Sequence, residues 1–209
     1  ARKYGRKTDS VFFDGTNYYF EIDREKGDRR KGPSKESRND PIISMGLLLD
    51  AEQIPLAMKM FPGNESEKPV MREIIKDMKE KNGIAGRTIQ VADKGLNCAK
   101  NICEALKNGD GYIFSQSIKR LPEQERKWAL LESDDARWAE VRDGDGALLY
   151  KYKSCIDKFQ YRVGGGAGRQ ATVSLTQKRV VTFSPPLAEK KRHEINKMVE
   201  RARELSGYQ

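Results

Sequence analysis

The chain predicts an α/β domain in which helices pack against a mixed β-sheet and a β-rich insertion follows the fifth strand. Two observations carry this. Three strand-like runs come first with no helix between them, and residues 63 to 117 then alternate helix, strand, helix, strand. Strands joined by short turns pair antiparallel, whereas parallel strands need a crossover helix, so the combination gives a sheet of mixed direction. A third observation separates this chain from a disordered one. Charged residues are 34% and hydrophobic residues 37%, yet the apolar ones cluster in blocks such as "IISMGLLL" and "TIQVAD", as folded domains require.

Residues 1–9 are basic and unpatterned and read as a linker or arm. Ser10 to Ile22, which contains "FFDGTNYYFEI", is rich in aromatic and β-branched residues and predicts a strand of about ten residues. Residues 23–40 mix dense charge with Gly, Pro, Ser and Asn, the composition of a solvated loop. "PIISMGLLLD" and "QIPLAMKMFPG" are joined by a polar turn at Asp50 to Gln53 and read as antiparallel neighbours. In "NESEKPVMREIIKDMKEKNG", Val70, Ile74, Ile75 and Met78 fall at helical spacing and a Gly closes the pattern. "RTIQVAD" reads as a short buried strand, "CAKNICEALKNG" as a helix with Ile102, Ala105 and Leu106 inward, and "GYIFSQS" as the fifth strand.

The core thus spans residues 10–118. Residues 119–183 carry both tryptophans and the turn signals "DGDG" and "GGGAG", predicting short strands in a mainly β insertion. Residues 184–209 read as a charged helix with a sparse apolar stripe of Leu187, Ile195, Met198 and Leu205.

At 209 residues and 23.8 kDa the chain is long enough for one ordinary domain plus an insertion. Forty Lys and Arg against 31 Asp and Glu leave a formal charge of +9, which favours an anionic partner such as nucleic acid or an anionic membrane surface. Cys98, Cys103 and Cys155 follow no metal spacing and are odd in number, so a reducing cytoplasm is expected. No run approaches the roughly 18 apolar residues of a membrane span, and "ARKYGRKTDS" lacks the apolar core of a signal peptide. A soluble protein without membrane partners is the expectation. The chain starts at Ala1 and stops just after a helical pattern, so both ends read as cut from something longer.

Asp14 opens the question of chemistry, because a strand bound for a core ordinarily has no use for a carboxylate; a turn or a bound water is its ordinary role at a strand end. A second acid supplies context. Asp93 closes "TIQVAD" where the strand enters a helix, and ligand sites in open α/β sheets cluster at such strand ends. If the first and fourth strands are neighbours, the two lie side by side across 79 positions (93 minus 14). Paired carboxylates repel and require a shared proton or a divalent cation. Their hard oxygens suit magnesium or manganese, and a two-metal site of that kind serves phosphodiester displacement. Such a site usually needs a third carboxylate.

Lys35, Arg38, Lys94, Lys119 and Arg120 are candidate phosphate contacts, Lys94 foremost because it directly follows Asp93; a solvated side chain is the ordinary alternative for each. Trp128 and Trp138 either stack on extruded bases or fill a small core. His193, the only histidine, has no Cys or His at ligand spacing and reads as a surface residue. "GGGAG" is followed by no Lys-Ser or Lys-Thr and reads as a flexible turn.

"VFFDGTNYYFE", "KGPSKESRNDPIISMGLLLDAEQIPLAMKMFPGNESEK", "IQVADKGLNCAKNI" and "GDGYIFSQS", in this order, resemble the DDE transposases of cut-and-paste bacterial insertion sequences, which have an RNase H-like catalytic core. The likeness runs from about residue 10 to 118 and continues weakly through "VVTFSPPLAEKKRHEINKM". The resemblance implies that Asp14 and Asp93 are the first two acids of the DDE triad and that the intact site holds two Mg2+ or Mn2+ ions. It implies DNA as partner, both transposon ends and target, a homodimer in a synaptic complex, and a bacterial cytoplasmic protein associated with the nucleoid when on DNA. Water would attack a phosphodiester at the element's end, and the freed 3′ hydroxyl would attack target DNA.

The family's third acid is a glutamate on a helix after the insertion, within Tyr, two residues, Arg, three residues, Glu, six residues, Lys. That motif is absent here. Leu187, Lys190, Glu194 and Arg201 keep only its spacing, so the expectation is a chain truncated before the third acid. An RNase H-like nuclease, or a catalytically inactive DNA-binding or assembly fragment, are the alternatives.

Overall fold

Strand β1 (Ser10–Tyr19) lies at the centre of a five-stranded sheet in the computed structural model, which describes residues 5–33, 36, 38–82, 86–130, 138–164 and 170–207. The other strands of the sheet are β2 (Ile42–Leu49), β3 (Pro55–Pro62), β4 (Ile89–Ala92) and β5 (Gly111–Phe114). The order is β3-β2-β1-β4-β5, with β1–β2 and β2–β3 antiparallel and β1–β4 and β4–β5 parallel. This is the RNase H-like mixed sheet that the sequence predicts. Helix α1 (Glu67–Asn82) follows β3, and α2 (Ala99–Lys107) joins β4 to β5 as the crossover that parallel pairing demands. The chain divides into two compact units, Ala1–Ser117 with Tyr161–Ala171, and Ile118–Gln160 with Thr172–Gln209.

Period-two alternation gives the first unit its sides. Val11, Phe13, Leu48, Phe61 and Ala92 point to one face of the sheet and pack with Val70, Met71, Ile74, Ile75 and Met78 of α1. The helical stripe anticipated for α1 is therefore buried, with Met71 added to it. Gly46 gives the Phe13 ring its place, since a Cβ there would sit 2.7 Å from Phe13 Cζ and 3.2 Å from Ile74 Cδ1. Helix α2 packs on α1 and β5 with Ala99, Asn101, Ile102 and Ala105 buried. Leu106, expected to face inward, is 44% exposed. The buried apolar residues step by three, at 99, 102 and 105, and a residue one further on turns about 100° away.

The other face of the sheet is apolar as well, and much of it is open. Phe12, Met58, Met60 and Ile113 are exposed there, and Asp14 stands among them opposite Leu47.

Two polar devices fix the edges of this unit. The Asp110 carboxylate is fully buried and accepts hydrogen bonds from Thr88 N–H at 3.0 Å, from Gln90 Nε2 at 3.0 Å and from the Lys79 ammonium, tying the start of β5 to β4 and α1. At the β2–β3 turn, Asp50 Oδ1 accepts Glu52 N–H at 3.0 Å and Ile54 N–H at 2.9 Å, with Gln53 at a φ of 63°. The predicted polar turn is thus a side-chain-stabilised one. The solvated loop of residues 23–40 is anchored at Arg30, which exchanges two backbone hydrogen bonds with Ile42, at 3.0 and 2.8 Å.

The second unit contains α3 (Glu123–Ala129), β6 (Ala139–Arg142), most of β7 (Leu148–Gly164) and β8 (Gln170–Phe183), and α4 (Pro185–Ser206). Its sheet has the order β6-β7-β8, β6 and β7 being antiparallel. "DGDG" is the expected turn, Asp143 Oδ1 accepting Asp145 N–H at 3.0 Å and Ala147 N–H at 2.8 Å. Two features differ from expectation. Strands β7 and β8 are long, 17 and 14 residues, because no Pro or Gly interrupts Leu148 to Val163 or Gln170 to Phe183; and α3 adds a short helix to the mainly β segment. "GGGAG" lies, beyond Gly164, outside the described residues. Helix α4 forms as expected but buries none of its residues, and Leu187, Ile195, Met198 and Leu205 are exposed. No described helix is long and apolar enough to cross a membrane.

Candidate active site

Asp14 and Asp93 each directly follow the last pair of the β1–β4 ladder, Phe13 opposite Ala92; Asp14 continues β1, and Asp93 is the first residue after β4. Both are exposed. The backbone orients each carboxylate: Gly15 N–H donates to Asp14 Oδ1 at 2.9 Å, and Gly95 N–H donates to Asp93 Oδ1 at 2.8 Å. Leu96 N–H also donates to the Asp93 carbonyl, at 3.2 Å. That tight turn sets Asp93 between the end of β4 and the start of α2.

A third carboxylate comes close to the residue after Asp14, but on the other side of the sheet. Glu67, in the first turn of α1, lies over Gly15, where a Cβ would overlap its carboxyl group. Gly15 faces the helices and Asp14 the opposite side, so Glu67 approaches β1 from behind. Among the described residues no three His, Cys, Asp or Glu side chains group as a metal site. Glu194 is engaged on α4, accepting a hydrogen bond from Lys191 Nζ at 2.6 Å.

Two hard oxygen donors of like charge fit a magnesium- or manganese-type cation in kind, and fall short of a full ligand set in number.

The expected phosphate contacts are dispersed. Lys94 is exposed beside Asp93, with no acid paired to it among the described residues. Arg38 is committed within the chain: its Nε donates to Asp40 Oδ2 at 2.7 Å, Nη2 lies 3.6 Å from Glu21 Oε1, and its guanidinium sits 4.9 Å from the Tyr19 ring centroid. The hydrogen bond to Asp40 raises its pKa, Asp40's charge adding to the effect. Lys119 and Arg120 are exposed in a 3-10 turn of the second unit, and Lys35 lies outside the described residues.

The two tryptophans are half-buried and flank Lys153. Lys153, 3% exposed, donates to the Trp128 carbonyl, and its ammonium sits 4.8 Å from the Trp128 and Trp138 ring centroids. Arg179 lies over Trp128 at 5.3 Å and pairs with Asp157. Burial lowers the Lys153 pKa. The alternation of ring and cation on β7 could have been read from "YKYK", but the rings that meet Lys153, Trp128 and Trp138, come from α3 and from the residue before β6, far off in sequence. His193 is exposed, as expected, and the three cysteines are unpaired.

No family model matches the chain, and no curated protein matches it. Among solved structures it is similar to the piggyBac transposase synaptic complex with hairpin DNA, at 12% identity and a TM-score of 0.42 over 80% of this chain and 33% of that one. It is also similar to the Mos1 transposase paired-end complex with the left transposon end, at 9% identity and a TM-score of 0.36 over 53% of this chain and 36% of that one. The chain spans about a third of the length of these proteins.

Proposed function

We propose that the chain is the larger part of the catalytic core of a DDE-type DNA transposase of a bacterial insertion sequence, acting in the whole protein on transposon ends and target DNA. The observation that carries this is that Asp14 and Asp93 each directly follow the last residue pair of the central parallel ladder, Phe13 and Ala92. Two acids at that position of a mixed sheet suit divalent-metal phosphodiester chemistry. Asp14 and Asp93 would hold the cations, two in the intact site. Magnesium or manganese, when bound, supplies Lewis-acid polarisation of the phosphodiester and activation of the attacking water or 3′ hydroxyl. The protein's own part is positional. Gly15 N–H and Gly95 N–H each hold one carboxylate oxygen, which fixes the donors before a cation arrives, and Lys94 is placed to meet a phosphate oxygen. The whole protein would work as a homodimer that pairs two ends.

A second reading is a catalytically inactive DNA-binding fragment. It is favoured by the lack, among the described residues, of a third acid grouped with the pair, because losing one catalytic group commonly costs orders of magnitude in rate.

Calorimetric titration of Mn2+ into the chain, into Asp14→Asn and into Asp93→Asn tests the primary reading. Each substitution is expected to weaken binding at least tenfold, and unchanged affinity in both would remove the pair from any metal site. Nicking of plasmid DNA with magnesium by the unmodified chain, lost in either variant, separates the active from the inactive reading.

A further inference from the structure

The first unit has a concavity on the helical side of its sheet, lined by Lys68 and Arg72 of α1, Lys100 of α2 and Arg162, with Ser66 and Cys98 among the remaining wall residues. Among the described residues no carboxylate lines it. Among the described residues none of the four cations has an ion-pair partner. The rest of α1 behaves otherwise: Lys76 pairs with Glu80, Lys79 with Asp110 and Lys81 with Asp77.

The placement is also unfavourable for the helices themselves. Lys68 and Lys100 are each the second residue of their helix, where the macrodipole and the unsatisfied N–H groups favour negative charge. Helix α2 has no acid in its first turn, and its N-cap, Cys98, makes no side-chain capping bond. Arg72 is held in place by the Lys68 carbonyl at 3.1 Å and by the buried Asn101 side chain. Four uncompensated cations in one concavity, two of them against the helix dipoles, form a site for an anion.

The cations are spread along the cleft, over two helices and a third segment, which suits a linear polyanion better than a single small ion. The cleft also stands at the acid end of the sheet. Helix α1 begins with Glu67 over Gly15, the neighbour of Asp14, and α2 begins six residues after Asp93 (99 minus 93).

We propose that Lys68, Arg72, Lys100 and Arg162 grip the DNA backbone on the helical side of the sheet, at the end where Asp14 and Asp93 stand on the other side, an assignment that rests on the DNA-transposase reading for its polyanion. Arg72 is excluded from the test because it also braces Asn101. Binding of a fluorescein-labelled DNA duplex to the full chain is measured by anisotropy, in EDTA, across a salt series. The variants are Lys68→Gln/Lys100→Gln/Arg162→Gln and, as a control of equal charge loss, Lys190→Gln/Lys197→Gln/Arg201→Gln on α4.

Each phosphate contact contributes about 0.9 to the slope of log affinity against log salt, so three lost contacts lower the slope by about 2.7. The control is expected to change it by less than one contact's worth, about 0.9. A charge-keeping variant, Lys68→Arg/Lys100→Arg/Arg162→Lys, is expected to retain the unmodified slope, which separates lost contacts from a damaged fold. The assignment is overturned if the cleft variant keeps the unmodified slope, or if the control loses as much. It is equally overturned if inorganic phosphate binds saturably and the duplex does not. Because EDTA is present, this result is independent of Mn2+ titration of the Asp14→Asn and Asp93→Asn variants. Failure there with an intact salt effect leaves a DNA-binding cleft without the catalytic pair.

Discussion

Replacing Asp110 by Ala should cost the fold more than any surface change. The carboxylate has no exposed area and accepts hydrogen bonds from Thr88 N–H, Gln90 Nε2 and the Lys79 ammonium, whose side chain is itself only 18% exposed. Truncation strands a largely buried cation, which alone costs about 3–5 kcal/mol, since breaking such a pair leaves its charge uncompensated. Each stranded neutral donor adds about 1–3 kcal/mol unless water reaches it. Lys79 can swing partly into solvent, so a net loss of about 4 kcal/mol is expected, a large part of the ~5–15 kcal/mol that separates native domains from unfolding. Urea unfolding followed by far-ultraviolet circular dichroism measures it. Asp110→Ala in a Lys79→Met background should cost markedly less than in the unmodified chain, because no cation is then abandoned. A cost below about 1 kcal/mol, or additivity of the two substitutions, would refute this account of how β4 is held.

Other perturbations test separate parts of the molecule. Gly15→Ala places a methyl group where the Glu67 carboxyl lies and should destabilise by about 1–3 kcal/mol; a Glu67→Ala background should restore most of that in urea unfolding, and no recovery would mean that Glu67 is not the obstacle. The Asp50 carboxyl is held below its ordinary range mainly by the Ile54 N–H, against the opposing effect of burial. Its stabilisation is therefore present above the unfolded pKa of about 3.9 and disappears as pH falls through the lower folded value. Asp50→Asn should flatten the acid limb of the urea midpoint against pH, and an unchanged limb would count against the turn. Burial lowers the Lys153 pKa, so the unfolded chain holds that proton more tightly and stability rises with pH between the folded value and the unfolded one of about 10.4. Thermal melting of Lys153→Met across the alkaline range should lack that rise.

The sheet was legible because each of its signals was local. Aromatic and β-branched content in "VFFDGTNYY", turn chemistry at Asp50 and the spacing of Val70, Ile74, Ile75 and Met78 depend on neighbours within a few residues, and each fixes one element. That β4 lies beside β1, which the sequence left as a condition, is what brings the ends of the two strands, and the aspartates after them, to one place. What escaped depended on distant partners. Lys153 is buried with Trp128 and Trp138 beside its ammonium, and Arg38 is committed to acids on both sides of its loop. The basic cleft was missed for the same reason, its four cations being scattered over 94 positions (162 minus 68). Cations in the first turns of two helices were its only sequence trace.

The parallel pairing of β1 with β4 has a further consequence, in time instead of space. The β1–β2 and β2–β3 ladders close over loops of tens of residues or fewer, whereas Phe13 meets Ala92 only after the whole intervening chain has been gathered in. Contacts so far apart in sequence repay their loop-closure entropy late and are slow to form. The aspartate pair therefore comes into being at one of the last steps of folding, after the antiparallel hairpins exist. In stopped-flow refolding, capture of Mn2+ should lag behind the circular dichroism signal; simultaneous phases would place the β1–β4 closure early. A chain caught part-way would hold its antiparallel hairpins while Asp14 and Asp93 still stand apart.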